Sequence, residues 1–308
     1  MMESKRRDGI LFEEESLRDG LQIEKRIFSF DEKIKIFNLL VEAGVKRIQI
    51  GSFVHKERVP QMANTDEFIQ KITPPPDVLI TGLILNERGL DRAIQAGLKH
   101  VSMGASASDT HSRKNVNRSA QEALQDILFL IPKAKKAGLR VRAGIQCAFG
   151  CVYEGKVPEE KVLKGAKAIF ETGADEVNLA DTTGMGNPVQ IREVIRKLRS
   201  MLPKATLSLH LHDTRGMGLA NMLAGYEEGV KIFDACSGGL GGCPFVKGAA
   251  GNVPLEDAIN LFESIGISTG VDLQKICLVT ETLESLLGRK LPGRMCQVVK
   301  AAQSPGTS

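Results

Sequence analysis

In Ser208-Leu209-His210-Leu211-His212-Asp213 two imidazoles stand at an i, i+2 spacing inside a run that reads as a β-strand. Side chains alternate faces along a strand, so His210 and His212 point one way while Leu209 and Leu211 point the other. A single inward histidine is usually a hydrogen-bonded core residue. Two imidazoles converging on one spot suit a metal ion better, and a metal that activates a substrate oxygen implies an enzyme. Asp213 faces away and, with Thr214 and Gly216 beside it, reads as a cap for the next helix.

The elements that must hold such a pair follow from periodicity. Short β-rich runs alternate with runs of period 3.6 along most of the 308 residues. The expected strands are Ile10 to Ser16, Arg47 to Phe53, Val78 to Ile84, Val101 to Met103, Arg140 to Gln146, Glu176 to Leu179, Thr206 to His212 and Ile232 to Cys236. Helices are expected at Asp31 to Ala43, Thr65 to Ile72, Arg88 to Ala96 and Ala120 to Ala137, with others starting near Glu159, Val189, Met217 and Leu255. Glycines 44, 97, 138 and 173 follow small residues at helix exits and suit the left-handed position there. Strands and helices alternating at this spacing imply parallel strands with right-handed crossovers. The α/β expectation is a (β/α)₈ TIM barrel over residues 1–271, with a C-terminal helical extension at 272–308 packed on it.

Active sites of such barrels lie at the C-terminal ends of the strands. Here those ends are polar: Ser16-Leu17-Arg18-Asp19-Gly20-Leu21-Gln22 after strand one, Gln49 and Ser52 on strand two, Asn178 and Asp181 on strand six, His210 and His212 on strand seven, and Cys243 and Asn252 after strand eight. Closure makes strand one a neighbour of strand eight, and strand eight of strand seven, so Asp19, His210, His212 and Asn252 can surround one point. Two oxygens and two imidazole nitrogens suit Mg²⁺ or Mn²⁺, with Zn²⁺ or Co²⁺ as further options. On spacing alone Arg18-Asp19 is equally a structural ion pair. The run Ser237-Gly238-Gly239-Leu240-Gly241-Gly242-Cys243-Pro244 reads as a mobile loop rather than packing, a catalytic lid in preference to a phosphate cradle. Cys147 and Cys151 are spaced like half a zinc site with no second pair, so they read as buried thiols.

Composition narrows the classes. The chain is 42% hydrophobic and 25% charged with a net charge of +4, too weak a bias to argue for nucleic acid. Six cysteines are too sparse for a disulfide framework, no apolar stretch follows Lys5-Arg6-Arg7, so no exporting leader is expected, and no run is long and apolar enough for a membrane span. The expected setting is a reducing cytoplasm, with no membrane partner and a homodimer in keeping with the appended helices.

Ser16 to Gln22, Val59-Pro60-Gln61-Met62-Ala63, Cys147-Ala148-Phe149-Gly150-Cys151 with Tyr153-Glu154-Gly155-Lys156, His210 to Thr214, Gly239 to Pro244 and Gly248-Ala249-Ala250-Gly251-Asn252 together resemble the 3-hydroxy-3-methylglutaryl-CoA lyase family, among the metal-dependent TIM-barrel lyases and carboligases. The resemblance runs from about Phe12 to Leu273. It implies Asp19, His210, His212 and Asn252 as metal ligands, Arg18, Gln22 and Cys243 as catalytic or substrate-contacting residues, and an acyl-CoA substrate. The implied reaction is cleavage of the C2–C3 bond of a 3-hydroxyacyl-CoA, with Asp19 or His210 as base, Arg18 stabilising charge on the thioester oxygen and Cys243 delivering a proton. Lys25 and Arg26 read as solvated basic surface more than as a coenzyme A phosphate contact.

Two departures bear on the substrate. The lyase pattern has Ile-Glu where this chain has Ile48-Gln49, and Gln-Asn-Glu-Lys where it has Gln22-Ile23-Glu24-Lys25. Gln49 keeps the reach of glutamate but not its charge. A Claisen condensing enzyme joining acetyl-CoA to an α-keto acid, as isopropylmalate or citramalate synthases do, is the alternative from the same superfamily, although such synthases usually lack the Gly-Gly-Cys-Pro element of this chain. A catalytically impaired barrel that only binds a thioester is a third reading, motivated by Gln49.

Overall fold

The computed structural model describes residues 9–242 and 251–303. Its strands β1 (Leu11–Glu14), β2 (Arg47–Ser52), β3 (Leu79–Leu83), β4 (His100–Ser106), β5 (Arg140–Gln146), β6 (Glu176–Asp181), β7 (Leu207–Leu211) and β8 (Ile232–Ala235) form a closed barrel in chain order. All pairs are parallel, and closure sets Leu11 opposite Ile232 and Glu14 opposite Ala235. The helices are α1 (Phe30–Glu42), α2 (Thr65–Lys71), α3 (Glu87–Gln95), α4 (Asp109–Val116), α5 (Ala120–Lys136), α6 (Glu159–Glu171), α7 (Pro188–Met201), α8 (Gly218–Glu227), α9 (Leu255–Ser264), α10 (Leu273–Leu287) and α11 (Met295–Gln303). The TIM barrel expected from periodicity is present, and α4 is an extra helix within the fourth unit.

Local chemistry starts and stops these elements. Ser29 and Ser119 close capping boxes with Glu32 and Glu122 at the starts of α1 and α5. Gly44 and Gly173, at φ of +90° and +102°, make the left-handed exits from α1 and α6. β1 is shorter than expected, since the backbone turns at Glu15. The Glu14 carboxylate accepts from the Ser16 N–H (3.0 Å) and its hydroxyl, and Gly20 N–H reaches back to Glu15 O at 3.1 Å, closing a wide π-helical turn over Ser16–Gly20. β4 is longer than expected because it pairs with β5 from His100–Arg140 to Ser106–Gln146. That ladder outweighs the weak strand propensity of its glycine and serines.

The apolar core lies between barrel and helices. Phe12 on β1 and Phe233 on β8 pack on Phe262 of α9, with ring centroids 6.2 and 5.6 Å away. Ile276, Val279 and Leu283 of α10 belong to the same core, and Asp272 N–H donates to Ala43 O at 2.8 Å, seating α10 against the end of α1.

The barrel interior is charged. Glu13 (β1), Arg47 (β2), Arg142 (β5), Glu176 (β6) and Asp234 (β8) are all buried. Arg47 pairs with Glu13 and with Glu176 (2.7 Å); Arg142 pairs with Glu13 (2.9 Å), Glu176 (3.2 Å) and Asp234. Burial alone would raise the Glu13 carboxyl, but Arg142 and Arg47 hold it well below the usual carboxylate range. Buried pairs of this kind add little net stability, but removing one partner is costly because it strands the other charge.

Candidate metal and substrate site

The wide turn after β1 throws Arg18 and Asp19 over the C-terminal mouth of the barrel, where β7 delivers the histidines. His210 Nε2 and His212 Nε2 lie 3.0 Å apart, and Asp19 Oδ2 is 3.9 Å from His212 Nε2. One ligand atom from each of Asp19, His210 and His212 falls within a 4.8 Å cluster. Asn252 joins from the segment before α9: its backbone bridges that of His212, and its Nδ2 donates to Asp19 Oδ2 (2.8 Å) and to Leu240 O (3.1 Å). Asn252 therefore presents its amide nitrogen to the cluster.

A cation fits this donor set. Two bare ring nitrogens 3.0 Å apart need a proton or a metal between them. Adjacent ligands of one six-coordinate ion, each bonded at about 2.1 Å, stand about 3 Å apart. His210 Nδ1 is fixed by Asp234 Oδ2 at 3.0 Å, the carboxylate–imidazole arrangement that frees Nε2 for ligation. Burial and then His210 push His212 down to about 3, leaving it neutral, as a ligand must be. Burial opposes ionisation of Asp19, yet Arg18, His210 and His212 hold its carboxyl at about 2. The hydrogen bond to Asp234, with Glu15 nearby, raises His210 against the effect of burial.

Arg18 is clamped on three sides. Nε donates to Gln49, Nη1 to Asp19 and Nη2 to Glu15. A guanidinium has more N–H groups than these three bonds use, so donors remain for a substrate oxygen. Gln22 Nε2 donates to Asp19 Oδ1 at 3.0 Å, which orients the carboxylate. Burial, with the Asp234 charge, raises the Glu15 carboxyl above the usual carboxylate range against the pull of Arg18 and His210, yet both of its oxygens accept, one from Arg18 Nη2 and one from Gln49 Nε2, as those of a carboxylate do.

The residues expected at the site thus divide. Arg18, Asp19, Gln22, Gln49, His210, His212 and Asn252 form one connected set. Asn178 instead donates to Ser208 Oγ at 3.0 Å, and Ser52 Oγ is buried with no hydrogen-bond partner among the described residues. Cys243 lies outside the described residues. Asp213 caps as expected, accepting from Gly218 N–H at 2.7 Å. The first half of the glycine-rich run needs correction: Ser237, Gly238, Gly239 and Leu240 are packed, not a mobile loop, while Cys243 and Pro244 are outside the described part. Gly238 N–H donates to the buried Glu256 at 2.9 Å, and a Cβ on Gly238 would meet Leu291 at 2.5 Å. Glycine serves close approach there. Arg26 is exposed, as read, and within that surface also donates to Leu286 O at 2.6 Å and to Glu32.

Sequence reasoning missed Glu15 and Asp234. The available signal was alternation: Glu13-x-Glu15 and Arg47-x-Gln49 put charged and amide groups on the inner face of neighbouring strands. A separate groove of about 820 Å³, lined by residues including Phe149, Lys156, Met185, Val189, Gln190 and Lys197, shares no residue with the cluster.

Fold and site together define a TIM-barrel enzyme with a candidate cation site at the C-terminal ends of its strands. Residues 10–283 match the family described as HMGL-like. Hydroxymethylglutaryl-CoA lyase of Bacillus subtilis is 38% identical over 285 residues, covering 92% of this chain and 95% of the relative. (R)-Citramalyl-CoA lyase of Chloroflexus aurantiacus is likewise 38% identical over 285 residues, covering 89% and 90%. The structure of an HMG-CoA lyase from Acinetobacter baumannii in complex with coenzyme A and 3-methylmalate superposes with a TM-score of 0.90 at 36% identity, covering 100% of this chain and 98% of that one. The chain belongs to the HMGL-like family.

Proposed function

We propose that the protein is a divalent-metal-dependent carbon–carbon lyase that cleaves 3-hydroxy-3-methylglutaryl-CoA, or a closely related 3-hydroxyacyl-CoA, to acetyl-CoA and a keto product, acetoacetate in the first case. The observation that carries this reading is the convergence of Asp19, His210 and His212 beside a clamped Arg18. The equal identity to a hydroxymethylglutaryl-CoA lyase and a citramalyl-CoA lyase supports the reaction type more strongly than the acyl group.

Asp19, His210 and His212 would hold the cation, with Asn252 beside them; Mg²⁺ or Mn²⁺ suits the mixed set best, with Zn²⁺ or Co²⁺ as options. When bound, the cation supplies Lewis acidity to substrate oxygens, easing loss of the hydroxyl proton. The remaining steps fall to the chain. A base takes the C3 hydroxyl proton, the C3 carbonyl forms, and the electron pair of the C2–C3 bond passes to C2 and the thioester oxygen. The spare donors of Arg18 stabilise that developing enolate charge, an interaction stronger in the transition state than in the bound substrate. Asp19, at about 2, is a weak base. His210, backed by Asp234, is more basic, but its Nε2 serves a cation or a proton, not both. Cys243 is assigned the return of a proton to C2.

The test is a thioester panel with Mg²⁺ or Mn²⁺, followed by acetyl-CoA formation. Failure of every branched 3-hydroxyacyl-CoA would remove the proposal. Release of free coenzyme A from acetyl-CoA plus an α-keto acid would replace it with a condensing enzyme. Buried free thiols at Cys147, Cys151, Cys236, Cys277 and Cys296 accord with a cytoplasmic setting, and among the described residues no helix is long and apolar enough to cross a membrane.

A further inference from the structure

Gln49 stands where the lyase pattern has glutamate, and its amide is wedged between acids. Its Nε2 donates to Glu15 Oε1 at 2.8 Å and to Glu13 Oε1 at 3.1 Å, while its Oε1 accepts from Arg18 Nε. The other oxygen of Glu15 accepts from Arg18 Nη2 and lies 3.5 Å from His210 Nδ1. Glu13, Glu15 and Gln49 are buried, so water cannot substitute for a missing partner.

The sense of each bond around this ring is forced. Arg18 can only donate, so the atoms facing it on Gln49 and Glu15 must accept. The remaining contact between Gln49 and Glu15 then needs one donor and one acceptor, which an amide and a carboxyl group provide and two carboxylates do not. With Glu15 and Glu13 in place, an ionised acid at position 49 would set like-charged oxygens about 3 Å apart in a buried site. The amide at 49 and the acid at 15 therefore belong together.

We propose that Glu15 is a positioning residue of this site: from the end of β1 it supplies the carboxyl group that the lyase pattern carries on β2, and with Gln49 it locks the guanidinium of Arg18 over the cluster. Gln49 is then the partner of a relocated acid, not the mark of an impaired enzyme. What Arg18 does rests on the lyase reading above; the ring itself does not.

The test compares wild type, Glu15→Gln, Gln49→Glu and the double variant. Glu15→Gln provides one acceptor where two are needed, so a donor meets a donor. Gln49→Glu sets acceptor against acceptor. The double variant restores alternation, because the amide introduced at 15 donates to the carboxylate introduced at 49, which still accepts from Arg18; Glu13 remains close, so recovery is incomplete. Each single change is expected to lower kcat roughly 10- to 100-fold with KM changed less than about threefold, and the double variant to exceed the worse single by about tenfold. Both singles should melt below wild type, with the double variant above the additive expectation. Wild-type or higher kcat in Gln49→Glu, an unaffected Glu15→Gln, or strict additivity in both kcat and melting would overturn the inference. If wild type turns over no thioester, the lyase reading fails, while the melting temperatures of the same four proteins still judge the ring.

Discussion

His210 and His212 face each other through their Nε2 atoms at 3.0 Å, while Asp234 holds the far nitrogen of His210 at the same distance. One ring is thus oriented by a carboxylate of the barrel interior, while the other is tied at the rim through its backbone, which bridges Asn252, its Nδ1 meeting no hydrogen-bond partner among the described residues.

Removing one jaw should therefore empty the cluster. His212→Ala is expected to lower Mn²⁺ affinity at least about tenfold in a calorimetric titration, since it deletes a ligand without disturbing Asp234. Unchanged affinity would place the cation elsewhere.

Asp234 acts from behind. Asp234→Asn keeps the shape but can turn an N–H toward His210 Nδ1 and leaves Arg142 short of a buried counter-charge. Metal affinity or turnover should fall about 10- to 100-fold, with a lower melting temperature because Arg142 loses one of its buried carboxylate partners. A variant that binds Mn²⁺ as tightly as wild type would show that the orientation of His210 does not depend on this carboxylate.

Cys243→Ala separates the assigned proton donor from the scaffold. Circular dichroism and Mn²⁺ titration should match wild type, and most turnover should be lost. Full turnover would leave the proton to another group.

Stability should carry the signature of a histidine buried in the ionic interior. Burial is the largest influence on His100, and it lowers the ring from its ordinary 6.5 to about 4 while Thr81 holds Nδ1 at 2.8 Å. Between those values the unfolded chain binds a proton that the folded chain refuses, so the contribution is intact above about pH 6.5 and is lost as the pH falls toward 4. His100→Gln should flatten that acid limb, narrowing the gap in unfolding free energy to wild type by on the order of 2–3 kcal/mol. Parallel stability curves for the two proteins across that window would refute the assignment.

The eight alternating units were legible because each strand and helix carries its own period. The two histidines were legible for the same reason: Leu209 and Leu211 mark the opposite face of β7 as packed. Asp19 and Asn252 needed closure of the barrel and the family resemblance to be drawn in. Glu15 was legible only in part: the alternation Glu13-x-Glu15 puts both acids on one face, but what Glu15 meets depends on the pairing of β1 with β2, where Glu13 lies opposite Arg47 and Glu14 opposite Ile48, and no local pattern states that register. Glu13-Glu14-Glu15 also looks like a solvated charge run, whereas all three are buried. The usual barrel interior is branched and apolar. Here paired ions fill it, which local hydrophobicity cannot report. The glycines at 238 and 239 misled in the other direction, because small residues permit tight packing as readily as motion.

The most direct measurement is release of acetyl-CoA from 3-hydroxy-3-methylglutaryl-CoA by the purified protein, first after exhaustive chelation and then after adding back Mg²⁺ or Mn²⁺. The account predicts no product from the chelated protein and stoichiometric acetyl-CoA and acetoacetate once the cation returns. Equal cleavage with and without the cation would contradict it.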